Sequence, residues 1–325
     1  MLFHYGKANY THLTLKGSVC KNELMTEYKA SGKFLITGEY LVLHGARALA
    51  LPLRKKYQTL KVETENNGKI KWYATDENDQ LWMSAEFTLP LLDISTSSDL
   101  KMAKELQAIL RFIQKQHPHL FDSGLNFKTA MNFSTHWGLG SSSTLISVLS
   151  QWSGVNSYLL QKTFFGGSGY DIACATSVTP LIYQLQEEKK LITPVKWEPL
   201  FKHQLYFLYL GQKQDSREAM ANFKRQTPHP TKEDIYQINE LTEKCLVANE
   251  LVPFQKLMRE HELILSKLLG IKPVKVRIFS DFEGEIKSLG GWGGDFIMVA
   301  AKEDPTRYFR DRGHHLIFKW DDLIL

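Results

Sequence analysis

Short apolar runs bounded by glycine, asparagine or proline fill the first hundred positions, whereas apolar residues three and four apart recur in later stretches. Residues 33–37 and 40–43 read as strands, as do 57–64 and 69–74, the last two joined by a turn at Asn66, Asn67 and Gly68. Leu100, Ala103, Leu106, Leu110 and Ile113 fall at helical spacing behind the capping candidates Ser97 and Ser98, which predicts an amphipathic helix over 98–116. Residues 145–152 predict another. Farther on, Thr231 and Asp234 form a capping-box pattern ahead of Ile235, Ile238, Leu241 and Leu246, and a second helix follows Pro253 and stops at Gly270. Strands are expected again at 275–279 and 296–300. Helices and strands mix without strict alternation, and no repeat or low-complexity tract interrupts them, so the class is α+β.

Composition narrows the chemistry. A chain of 325 residues with 43% apolar content is long enough for two cored domains. Its net charge of +5 comes from 40 basic against 35 acidic residues spread without runs of like charge, which favours a small anionic ligand over nucleic acid. Cys20, Cys174 and Cys245 stand far apart, so neither a disulfide framework nor a zinc knuckle is suggested, and a reducing cytoplasm is expected. No apolar run approaches the roughly 20 residues of a membrane span, and no histidine pair has a metal-binding helical spacing. The polar residues 1–24 read as an extension, or as a start assigned too early, with the fold opening at Met25.

Four glycine-bearing stretches carry the candidate chemistry. The first to stand out is HWGLGSSSTL, residues 136–145, with two glycines and three serines ahead of an apolar helix pattern. It is not a Walker loop, because the Gly-Lys pairs of the chain are followed by Ala8, Phe34 and Ile70. A dinucleotide fingerprint would need glycine where Ser143 stands, and a nucleophile elbow would need glycine where Thr144 follows Ser142 or Tyr170 follows Ser168. What remains is an anion cradle: glycines that let backbone approach a ligand, then free N–H groups and hydroxyls at a helix start. SGKFLITGEYLVLHGA (31–46) and GGSGYDIACA (166–175) each set a lone charge, Lys33 and Asp171, beside glycines. KSLGGWGGDFIMVA (287–300) is a further glycine-rich loop before a strand.

The order of these stretches resembles that of the GHMP small-molecule kinases, and within them looks most like the phosphomevalonate kinases, from about residue 29 to the C-terminus. SGKFLITGEY is similar to the family's first motif with Ser31 in place of proline, GLGSSS to its second, SGYD to its SGxD segment and GGWGGD to its last loop. The resemblance implies a two-lobed α+β fold: an N-terminal lobe like ribosomal protein S5 domain 2 over 25–195 and a ferredoxin-like lobe over 196–325. It implies that Gly138, Leu139, Gly140, Ser141, Ser142 and Ser143 wrap the phosphates of ATP, that Ser142 helps hold Mg²⁺, and that Asp171 orients or deprotonates an acceptor hydroxyl beside Lys33. Glu39, Tyr40, Ser168, Gly169, Gly290, Gly291, Gly293, Gly294 and Asp295 would face the acceptor. Ser216 and Arg217, in the phosphomevalonate-kinase-like stretch LGQKQDSREAM, would grip an acceptor phosphate.

The partner so implied is a small anionic molecule with a hydroxyl or phosphate, and not nucleic acid or membrane, with the chain acting as monomer or homodimer. The expected activity is ATP-dependent phosphorylation of a mevalonate-pathway intermediate, 5-phosphomevalonate first. Mevalonate kinase, diphosphomevalonate decarboxylase and a non-catalytic ATP and metabolite sensor are the alternatives. Three departures stand out. Residues 159–169 lack the acidic metal ligand that several members carry ahead of SGxD, the segment between Ser143 and Ser168 is short, and Trp292 replaces a glycine.

Overall fold

The computed structural model describes residues 26–187, 189–211, 229–292 and 295–324. The expected extension with Met25, together with Ser216, Arg217, Gly293 and Gly294, lies outside the described residues. The first half of the chain builds an eight-stranded sheet from β1 (Glu27–Leu35), β2 (Ala48–Glu65), β3 (Lys69–Thr75), β4 (Leu81–Thr88), β5 (Asp93–Ser97), β6 (Gly124–Met131), β7 (Leu181–Gln186) and β8 (Lys189–Pro194). Its order is β5-β4-β3-β6-β2-β7-β8, with β1 antiparallel to β2. The 18-residue β2 is the spine: it pairs with β6 through residues 58–65 and with β7 through 48–50. Helix α1 (Leu100–Gln116) buries Ala103, Leu106, Leu110 and Ile113 against Trp72, Phe87 and Phe127 of the sheet, the face that the spacing predicts except for Leu100, which is exposed. Helices α2 (Ser141–Ser153), α3 (Ser157–Phe164) and α4 (Tyr170–Thr176) share that core.

The second half adds a four-stranded antiparallel sheet in the order β10-β11-β9-β12, from β9 (Leu205–Tyr209), β10 (Glu285–Leu289), β11 (Phe296–Ala300) and β12 (Ile317–Lys319). Its helices are α5 (Lys232–Val247), α6 (Leu251–Leu269), α7 (Val274–Ile278), α8 (Thr306–Arg310) and α9 (Trp320–Leu323). The capping box read at Thr231 and Asp234 is present at the start of α5. An apolar core fuses the two sheets: Phe34, Ile36, Leu49, Leu51 and Leu139 pack with Phe207, Phe254, Phe296 and Trp320. Phe34 stacks on Phe207, with ring centroids 5.1 Å apart and planes 13° from parallel, and leans on Phe296 at 5.2 Å. Among the described residues no helix is long and apolar enough to cross a membrane.

Three local expectations fail for physical reasons. Residues 40–43 are not a strand: Leu41–His44 form a single 3₁₀ turn, bent in by Gly38 at φ 85° and out by Gly45 at φ 89°. A Cβ at Gly38 would fall 2.8 Å from the Ala48 side chain, and Leu41 and Val42 are buried in apolar clusters rather than by sheet pairing. Residues 275–279 alternate like a strand but coil into α7 behind Pro273, leaving Val276 and Ile278 exposed. Helix α1 is capped by Asp99, whose side chain accepts from the Met102 N–H at 3.0 Å, while Ser98 bonds Ser84 across to β4.

Truncation of Phe34 to alanine removes the ring that joins the sheets, and the expected cost is about 3–5 kcal/mol of unfolding free energy. Urea unfolding of Phe34→Ala measures it; a loss below about 1 kcal/mol would show that the sheets do not depend on this contact.

Candidate functional site

Strand β1 delivers Lys33, and the local geometry explains the glycine before it. The Lys33 N–H donates to Leu139 O at 3.0 Å, so the 138–140 loop lies directly on β1. A Cβ at Gly32 would stand 3.2 Å from that same oxygen and 3.3 Å from Lys56 O, tighter than side chains ordinarily pack, so a larger residue would press on the loop. The side chain of Lys33 runs under the loop, where Nζ donates to Gly138 O at 3.3 Å and sits 5.4 Å from the centre of the Tyr170 ring. Burial opposes its charge. The Tyr170 phenol and the carboxylates of Asp171 and Asp295 outweigh that penalty and hold the ammonium above the ordinary lysine value.

The loop itself opens a helix N-terminus toward the same space. Gly138 and Gly140 both take positive φ, 67° and 96°, and α2 begins at Ser141. Its first internal bond is Thr144 N–H to Gly140 O at 2.9 Å, which leaves the N–H groups of Ser141, Ser142 and Ser143 without helical partners. The side chains split in role. Ser142 is exposed, while Ser143 is buried with its hydroxyl donated to Gly140 O at 2.8 Å, and Leu139 packs into the core between the sheets. The side chains of Ser143 and Leu139 are therefore both engaged within the protein.

Asp171 sits in the first turn of α4, its Oδ1 accepting the Ile172 N–H at 3.1 Å. Burial pushes its carboxyl above the ordinary aspartate value, and the nearby Lys33 charge pulls part of the way back. The ammonium donates to Gly138 O and acts on Asp171 through space. Tyr158, Tyr170 and Tyr183 stand close enough for the carboxylate to act on each phenol, an aromatic wall that the sequence reading missed. The Tyr183 hydroxyl donates to Ser168 O, and Gly169, at φ 86°, is pressed against Tyr158, where a Cβ would lie 3.1 Å from the ring.

The last glycine loop reaches the same place. Asp295, 5% exposed, lies against Gly138 so tightly that a Cβ there would be 2.6 Å from its carboxylate carbon. Gly290 takes φ 75° and faces the same carboxylate, and Gly291 leads on to Trp292. The indole of Trp292 belongs to an apolar cluster with Tyr40, Leu41, Ile238, Leu241 and Leu265, which makes it a packing residue. Glu39, expected to face the acceptor, is 2% exposed; it is ion-paired to the equally buried Lys287 and lies 3.2 Å from His261 Nε2. Beyond them Glu262 accepts from Ser288 Oγ at 3.3 Å, and burial pushes its carboxyl up to about 8.

No family model and no curated protein matches this sequence. Solved structures do. The mevalonate kinase of Methanococcus jannaschii superposes with a TM-score of 0.65 at 17% identity, over 91% of this chain and 98% of that one. The phosphomevalonate kinase of Streptococcus pneumoniae, in complex with phosphomevalonate and AMPPNP, gives 0.64 at 14%, over 92% and 97%. The Lactococcus lactis galactokinase complexed with galactose gives 0.63 at 14%, over 89% and 88%. The chain has the GHMP kinase fold. Within that fold, Lys33, the 138–143 loop, Asp171 and Asp295, distant in sequence, come together.

Glu262 gives the site's surroundings a pH signature. Its folded value of about 8 lies above the ordinary 4.5, so its stabilising contribution is complete below about 4.5 and is lost as pH rises through 8. Glu262→Gln is expected to melt several degrees above the parent at about pH 9 and level with it at about pH 5. Equal melting at both values would show Glu262 to be ionised in the folded protein.

Proposed function

We propose that this protein is an ATP-dependent phosphotransferase that moves the γ-phosphate of ATP to an oxygen of a small anionic acceptor, with 5-phosphomevalonate as the acceptor best supported. The observation that carries the reading is the meeting of the Lys33 ammonium, the half-buried Asp171 carboxylate and an open helix N-terminus at a glycine loop. Phosphoryl transfer asks a protein for in-line placement and for positive charge against the developing oxyanions. The N–H groups of Ser141, Ser142 and Ser143 would take phosphate oxygens, and Lys33 Nζ would bear on the group in transfer. The acceptor oxygen attacks phosphorus and ADP leaves; a hydroxyl acceptor would pass its proton to Asp171, whereas a phosphate acceptor, with a second pKa of about 6, attacks already largely ionised and needs Asp171 only to orient it. A carboxyl raised by burial is a stronger base than an ordinary aspartate, and Lys33 keeps enough of it ionised to act.

Magnesium takes few protein oxygens when phosphates are present, keeping waters in its remaining positions. Among the described residues no group of three His, Cys, Asp or Glu side chains is arranged to hold a metal, and the exposed Ser142 hydroxyl at the start of α2 matches that sparse demand. Bound with ATP, Mg²⁺ would offset phosphate charge there. The acceptor choice rests on sequence: Tyr40 in GEY, Asp295 closing GGWGGD and the LGQKQDSREAM stretch. Likeness to a mevalonate kinase at a TM-score of 0.65 keeps mevalonate as the second reading, and the alternatives of diphosphomevalonate decarboxylase and sensor are separated by product.

ADP release from MgATP, compared with 5-phosphomevalonate, mevalonate and no acceptor, tests the reading. Release is expected with 5-phosphomevalonate and without carbon dioxide, and Asp171→Asn is expected to lower turnover by about 10²–10⁴ while ATP affinity stays within about twofold. The acid limb of turnover should lie above the ordinary aspartate value, and in the residual activity of Lys33→Met it should move to higher pH, since loss of the ammonium favours the protonated carboxyl. Undiminished turnover in Asp171→Asn would remove that residue from the mechanism.

A further inference from the structure

Four consecutive residues just beyond the Lys33 strand are each bonded to a different element of the C-terminal half. Thr37 Oγ pairs with Thr242 Oγ of α5 at 2.8 Å, and the Gly38 N–H donates to His261 Nε2 of α6 at 3.1 Å. Glu39 holds Lys287 of β10, and the Tyr40 hydroxyl accepts the Trp292 N–H of the last glycine loop at 3.0 Å. The tie is made at a cost in backbone strain. Tyr40 takes φ 62° and ψ −47°, a conformation that non-glycine residues keep only where surrounding contacts fix it. Lys287 is 1% exposed and gives its remaining reach to Ser288 O at 2.9 Å, so it touches no ligand space.

We infer that Glu39 and Tyr40 are positioning residues: through Lys287 and the Trp292 amide they clamp the last glycine loop so that Asp295 rests on Gly138, and they do not contact the acceptor. Both ends of the tie are short. Lys33 lies six residues before Glu39, and Asp295 lies three after Trp292. The clamp therefore sets the two charged groups against the phosphate loop from both sides. A one-ångström shift of such a group is worth up to about 10²-fold in rate. The same inference explains why a glutamate and a tyrosine that the sequence places beside the cleft are found buried.

The kinetic arm of the test rests on the phosphotransferase reading; the exchange arm does not. Glu39→Gln, Lys287→Met, the double variant and Tyr40→Phe are compared with the parent for turnover, for acceptor and MgATP KM, and for amide hydrogen exchange over residues 136–142. The clamp predicts a fall in turnover of about tenfold or more in each single variant with acceptor KM within about twofold. The double variant should lose no more than the worse single one, and exchange at 138–140 should quicken in all four. Glu39→Gln raising acceptor KM about tenfold where Lys287→Met leaves it unchanged would overturn the inference and make Glu39 a ligand contact. Unchanged exchange at 138–140 would overturn it as well, whatever the melting temperatures. Should the charge variants fail to fold, Tyr40→Phe, which keeps the packed ring, carries both readouts. A parent inactive with every acceptor would sink the phosphotransferase reading and leave the exchange arm to decide the clamp.

Discussion

One backbone hydrogen bond, Lys33 N–H to Leu139 O at 3.0 Å, makes the rest of the site possible. It lays the loop that precedes α2 across β1, so the ammonium of one segment sits beneath the open N–H groups of another. A side chain at Gly32 would crowd that loop, and Phe34 on the opposite side of the strand is locked into the core between the sheets. A strand of alternating faces thus serves two purposes at once, charge toward the 138–140 loop and an aromatic ring toward the second sheet.

Charge in this setting is held by burial and by close neighbours. Lys33 remains an ammonium although it is largely dehydrated, because two carboxylates and a phenol act on it. Asp171 is pushed toward its neutral form by the same dryness, and the balance between them is what a proton acceptor near neutral pH requires. A few residues away, Glu39 is held below the ordinary carboxylate range: burial would raise it, and the Lys287 ammonium more than reverses that. Pairing has taken it out of the chemistry.

How much of this was legible in the sequence depends on the range of the cause. Glycines that answer to local crowding, such as Gly32, Gly138 and Gly140, announce themselves in short stretches, and so do the capping box at Thr231 and the apolar face of α1. The run 40–43 reads as a strand because an apolar tetrapeptide carries no record of the crowding at Gly38 that bends it. The alternation of 275–279 misleads because Pro273 starts a helical turn there, which leaves Val276 and Ile278 exposed. The Glu39–Lys287 pair spans 248 residues, and the tyrosine wall around Asp171 gathers from three separate elements, so neither leaves a periodic trace.

The central claim is that the loop of residues 138–143 and Lys33 together form a phosphate cradle facing Asp171. A crystal structure of the protein with MgAMPPNP tests it most directly. The account predicts phosphate oxygens within hydrogen-bond distance of the Ser141–Ser143 amides and of Lys33 Nζ, with the γ-phosphate turned toward Asp171. Nucleotide bound elsewhere, or phosphates held with Lys33 still turned to Gly138 O and away from them, would contradict it.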